Sequence, residues 1–194
     1  MINSIVTVTM FTIYAIILSI FLPNNVKLTK LIVAVGIAFG MFSYASVNAL
    51  NSVETYIMNT HGSFHVLLIG PIQEEITKFT FFLLAYFSIM RKAQEQHLDD
   101  ENLSELKGTR NLVILSAFIG LTLATFETLI DYRYLTVELT LLRTIVSWPL
   151  HIITVGISAY GFSKYLITLR HVMILCLLLA ILIHILYNTI IVSL

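Results

Sequence analysis

The chain has 194 residues, with 11 Lys or Arg balanced by 11 Asp or Glu, so its formal net charge is zero. Apolar residues make up 58% and charged residues 11%, where soluble domains carry roughly 25% charged residues, and the mean hydropathy is +0.91. These values exclude a water-soluble enzyme, a secreted disulfide scaffold and a disordered regulator. With no basic block there is also no footprint for a nucleic acid.

The composition leaves a polytopic membrane protein, all-α, with residues 1–194 forming one integral domain in the lipid bilayer. Six stretches, near 4–22, 31–50, 64–90, 111–131, 142–162 and 171–193, reach the length of about 20 mostly apolar residues that a crossing needs. Their apolarity is continuous rather than alternating, which selects helices over barrel strands. The first lacks a basic n-region and a small-residue cleavage site, so it reads as a retained span. In the second, Gly36 and Gly40 form a GxxxG pair, read as close helix packing rather than a dimer face. The third is long for one crossing and is expected to tilt or break. Residues 91–110 carry mixed charge and read as a solvated cytoplasmic loop with room for a helical turn. Cys176, the single cysteine, lies in the apolar sixth stretch and reads as a packing residue.

Orientation follows from the basic residues. Lys27, Lys30, Arg91, Lys92, Lys107, Arg110, Lys164 and Arg170 fall on one side, Arg133 and Arg143 on the other, and Lys78 inside a span. The expected arrangement places the 91–110 loop in the cytoplasm and both termini outside.

Ionisable groups within spans cost about 2.5–3.5 kcal/mol each near the bilayer centre, and they suggest function. The third span holds Glu74, Glu75 and Lys78, the fourth Glu127, the fifth His151, and the sixth His184 and Asn188. Counted inward from the outer ends of their spans, Glu74, Glu75, His151 and His184 lie about 10 residues deep and Glu127 and Asn188 about 5, so at 1.5 Å per residue they share one slab of the outer leaflet. Lys78 is i,i+4 from Glu74 and i,i+3 from Glu75 and can reach either carboxylate. Pro71 and Pro149 precede Glu74 and His151 and each removes a helical hydrogen bond.

Adjacent carboxylates suit a general acid or base better than a structural pair, because like charges in low dielectric push one carboxyl toward its neutral form. Two histidines at the same depth add a water-activating or metal-binding option, and Asn188 is either interhelical glue or an oxyanion donor. Asp131 and Glu138 read as solvated helix-end residues. His61, His65, His97 and His171 lie in or beside loops and receive no role.

The ordered set Glu74-Glu75-Ile-Thr-Lys78, Phe126-Glu127, Pro149-Leu-His151 and His184-Ile-Leu-Tyr-Asn188 resembles the PrsW family of intramembrane proteases, within the wider group of CAAX prenyl endopeptidases and bacteriocin-immunity (ABI) proteins. The match runs through the third to sixth stretches. The CAAX pattern resembles EExxxR followed by FxxxH; here Lys78 comes one position earlier and Glu127 replaces the second-motif histidine, which favours the PrsW branch. The resemblance implies a prokaryotic cell-membrane protease that cuts a membrane-anchored protein outside the cytoplasm. Its substrate would be a single-pass regulator such as an anti-sigma factor.

On this reading Glu75, sharing a proton with Glu74, activates water. His151 and His184 orient that water or protonate the leaving amine, and Asn188 steadies the oxyanion. Lys78 and Glu127 support the site, and no cofactor is required. The alternative gives His151, His184 and one carboxylate to Zn²⁺. The competing functions are a proton-coupled transporter or channel, which also needs buried ionisable groups, and a non-catalytic immunity-type protein.

Overall fold

The computed structural model describes residues 2–23, 26–58, 65–95, 100–167 and 169–193, and all regular structure among them is helical. The helices are α1 (Ile2–Ser19), α2 (Val26–Met58), α3 (Gly70–Glu95), α4 (Asp100–Lys107), α5 (Thr109–Ile130), α6 (Val137–Tyr165) and α7 (Arg170–Ser193), with a π turn at His65–Ile69 leading into α3. His61 and His97 lie outside the described residues.

Among the described residues, four helices are long and apolar enough to cross a membrane: Lys27–Ser52 of α2, α5, α6 and Arg170–Ile191 of α7. The other two of the six expected stretches are also helical, as α1 and α3. α1 has 18 residues, about 27 Å at 1.5 Å per residue, just short of a hydrocarbon core of about 30 Å. α3 has the length, with 26 residues, but its charges lower its apolarity. The expected break in the third stretch is the π turn at its start. Pro71 falls in the first turn of α3, where a proline is tolerated, while Pro149 lies inside α6, which continues through it.

The 91–110 region is more ordered than a solvated loop. α3 extends to Glu95, and α4 buries Leu106 in the main core. Leu106 anchors this mostly polar segment against the bundle.

α5 is the central helix, buried along most of its length, and small residues let its neighbours approach. A β-carbon added at Gly36 would lie 2.7 Å from Cβ of Phe118, and one at Gly40 2.6 Å from Cβ of Thr122. The GxxxG pair thus seats α2 against α5 within the chain. Gly120 does the same for α6, where an added β-carbon would sit 2.6 Å from the His151 carbonyl oxygen. Cys176 packs against Gly161.

The core has two parts. Phe79, Phe82, Tyr86, Ile89, Leu115, Phe118 and Phe162 fill the end toward α4. Trp148, Leu121 and Ala124 pack beneath α1, where the Trp148 indole donates to Thr128 Oγ1 at 3.0 Å and the Tyr14 hydroxyl to the Thr144 carbonyl at 3.1 Å. At the start of α6 the Thr136 side chain accepts from the Leu139 amide, with Glu138 in the first turn and Lys164 in the last, both favourable to the helix dipole.

Candidate active site

At the end of the bundle away from α4, the intramembrane ionisable residues converge. Lys78 is fully buried; its ammonium donates to Glu75 Oε1 and, at 3.2 Å, to Thr154 Oγ1, lies 3.4 Å from His151 Nδ1, and pairs electrostatically with Glu74 Oε1 at 3.2 Å. Those acceptors come from α3 itself and from α6, so one cation ties the two helices together.

His151 on α6 stands between two carboxylates. Its Nδ1 is 2.8 Å from Glu74 Oε1, and its Nε2 is 3.2 Å from Glu127 Oε2 and 3.3 Å from Ser147 Oγ. Glu127 Oε1 in turn meets Arg143 Nη2 at 2.8 Å, and that guanidinium lies over the Tyr132 ring, 3.5 Å from its centroid. The result is a chain of alternating groups, Lys78–Glu74–His151–Glu127–Arg143, running across α3, α6 and α5. With Glu75 added to the Glu74 and Glu127 of this chain, three carboxylates stand against two permanent cations and leave one negative charge, which a protonated histidine or a bound cation would balance.

His184 on α7 is 96% buried, its Nδ1 2.7 Å from Glu75 Oε1 and its Nε2 3.9 Å from Glu74 Oε2. Where Nδ1 donates to Glu75, the tautomer is set and Nε2 presents a bare lone pair toward Glu74. The two imidazole rings are perpendicular, with centroids 5.7 Å apart. A cavity of about 170 Å³ opens between α6 and α7 in front of these groups. Glu74, Glu127, His151, His184 and Asn188 line it, together with Tyr132, Arg143, Ser147, Tyr187 and Ile191.

All seven residues singled out in the sequence thus come together: Glu74, Glu75, Lys78, Glu127, His151 and His184 in direct contact, and Asn188 on the cavity wall. Their ranking changes. Glu75 is 1% exposed and sits behind the site, holding Lys78 and His184, whereas Glu74 faces the cavity. Consecutive residues on a helix point about 100° apart, so only one of an adjacent pair can face a given chamber.

Arg143, at the outer edge of the fifth stretch, reads from sequence only as an outer-side charge. It lies inside α6 and is half-buried against Glu127 and Tyr132. Its long side chain extends back over the bundle, and its position only five residues before the buried Trp148 was the available signal. Ser147 and Thr154, four residues before and three after His151, share its helical face and were also missed. Asp131 is not merely solvated: it accepts a hydrogen bond from the Tyr44 hydroxyl at 3.0 Å.

Ligand atoms of Glu74, Glu75 and His184 lie within 4.8 Å of one another and make up a possible metal-ion group. The residues fit a divalent cation: two carboxylates and an imidazole are the donor types of hydrolytic zinc sites, and Glu75 Oε2 is buried without a hydrogen-bond partner among the described residues. The donor set differs from the sequence expectation, because His151 is bracketed by carboxylates and His184 joins both glutamates instead.

Residues 23–194 match the family described as PrsW family intramembrane metalloprotease. The chain belongs to that family. No curated protein and no solved structure matches it. An all-helical membrane bundle carrying these residues is therefore a member of an intramembrane protease family, which favours an enzyme over a transporter.

Proposed function

We propose that the protein hydrolyses a peptide bond in a membrane-anchored protein substrate, using Glu74 and His184 across the α6–α7 cavity. The observation that carries this reading is their opposition: Oε2 of Glu74 and Nε2 of His184 stand 3.9 Å apart on the wall of one buried polar chamber. A water between them can hydrogen-bond to both and keep its oxygen lone pairs free to attack a carbonyl.

Glu74 takes a proton from the water as its oxygen bonds the acyl carbon. Asn188 donates to the developing oxyanion from the same wall. The C–N bond then breaks and the proton passes to the leaving nitrogen, giving a carboxylic acid and an amine. His151, joined to Glu74 and Glu127, holds the Glu74 carboxylate in position. Glu75 and Lys78 position His184 and Glu74 from behind.

A second reading is favoured by the donor set and the family's description. Glu74, Glu75 and His184 would hold a divalent cation such as Zn²⁺, which supplies Lewis-acid polarisation of the carbonyl and acidifies water. Metal content separates the two. Zinc bound stoichiometrically by wild type, lost together with activity on chelation and absent from His184→Ala, establishes the metal route. Full activity of a zinc-free preparation establishes the glutamate route.

The cleavage side we assign is extracytoplasmic, and the substrate a single-pass regulator such as an anti-sigma factor in a prokaryotic cell membrane. Support comes from charge: with Arg143 drawn into the bundle, Arg133 is the one basic residue left at the site end, against eight toward α4. The test is reconstitution of purified protein with a tagged single-pass substrate. Cleavage by wild type and none by Glu74→Gln is expected. An intact substrate, or equal cleavage by Glu74→Gln, removes the assignment.

A further inference from the structure

The site has a second chamber. A cavity of about 220 Å³ lies between α2 and α5 and shares Glu74, Glu127 and Tyr132 with the first. Its outer wall is a polar stripe on α2: Tyr44, Asn48 and Asn51 recur at i, i+4 and i+7, on one helical face. Their neighbours Ala45, Ala49 and Leu50 are exposed on the lipid-facing side. Asparagine inside an apolar helix is costly unless it serves packing or a water-filled path. The stripe leads to Asp131, which is exposed beyond the end of α5 and bonded to Tyr44 and Asn48.

Hydrolysis consumes one water for every bond cut. A substrate backbone in the 170 Å³ chamber fills the space around the water held between Glu74 and His184, so the water spent in each turnover needs a route other than the substrate's own. The substrate-side chamber is flanked by lipid-exposed residues of α7, with Ile190 60% and Ile191 50% exposed, as lateral entry from lipid requires. The second chamber instead ends at an exposed carboxylate. Glu74 lies on both, with Glu127 and Tyr132 as the partition.

We propose that the α2–α5 cavity is a hydration vestibule, conducting water from the Asp131 surface past Tyr44, Asn48 and Asn51 to Glu74 while substrate occupies the α6–α7 cavity. This rests on the protease reading for its purpose, but its existence can be tested without turnover. Single cysteines at Asn48 and Asn51, in a Cys176→Ser background, are exposed to a membrane-impermeant cationic thiol reagent in proteoliposomes. Leu178→Cys on the lipid face of α7 is the control. Asn48→Cys and Asn51→Cys react at least about tenfold faster than the control if water fills the vestibule; reaction as slow as Leu178→Cys overturns it.

The kinetic arm uses Val47→Phe, which fills the vestibule without altering the polar stripe, and Asn48→Leu, which dries it. Both lower kcat by about tenfold with KM unchanged, the pattern of an interaction needed for the chemical step and not for binding. Unchanged kcat in both, or a rise in KM alone, overturns the vestibule. Failure of wild type to cleave any substrate would instead sink the protease reading, and the labelling result would stand by itself.

Discussion

α3 and α6 each pass through two environments that are equally buried and chemically opposite. Toward α4, Phe82, Tyr86 and Phe162 interlock edge to face, with centroids 5.6 Å apart for Phe82–Phe162 and 5.1 Å for Tyr86–Phe162. One to three turns away along the same helices, Glu74, Glu75 and Lys78 cluster with His151 and Thr154. Lys78 and Phe82, one turn apart, are both fully buried. The aromatic end satisfies itself by shape, since any well-fitting apolar side chain gains dispersion contacts. At the polar end each charged group is tolerable only while a specific partner on another helix is in place. Stability and chemistry are thus separated along the helix axes, and substitutions at the two ends should fail in different ways.

The largest effect is expected from Glu74→Gln, which removes the proton acceptor that faces the cavity: cleavage of a reconstituted substrate falls by about 10²–10⁴, while thermal unfolding in detergent stays cooperative. Wild-type turnover in this variant would erase the distinction between the ends. Phe162→Ala is the opposite case. Loss of the ring that joins Phe82 to Tyr86 costs about 3–5 kcal/mol of stability, yet turnover per folded molecule is unchanged; a matching loss of specific activity would mean that the aromatic end also shapes the site.

Gly120→Ala tests the seam between the two ends. Its added methyl meets the His151 carbonyl, so it costs about 1–3 kcal/mol by overpacking and also lowers turnover by up to about 10² through displacement of His151. A purely stability effect would mean that α6 yields without moving its histidine. The smallest change is Thr154→Val, which withdraws the hydroxyl acceptor of Lys78. A membrane hydrogen bond averages about 0.6 kcal/mol, and the shift in midpoint on denaturant or thermal unfolding should be of that order. A loss of several kcal/mol would show that the Lys78 cluster acts as an inseparable unit.

Much of this protein was readable from residue order alone, because transfer into lipid is set residue by residue. Continuous apolar runs dictated helices, and ionisable residues inside those runs marked Glu74, Glu75, Lys78, Glu127, His151 and His184 before any contact was known. The pairing of Gly36 with Gly40 announced the close approach of α2 to another helix, though not which one. Tertiary structure alone decided how each helix is rotated about its axis, because that depends on neighbours distant in sequence. It turned Glu74 toward the cavity and Glu75 toward Lys78 and His184. It drew Arg143 inward onto Glu127 and Tyr132, and it aligned the polar face of α2 with Asp131. The zero net charge of the chain concealed that local balance, in which Glu74, Glu75 and Glu127 lean on Lys78 and Arg143 and leave one negative charge for a histidine or a cation to meet.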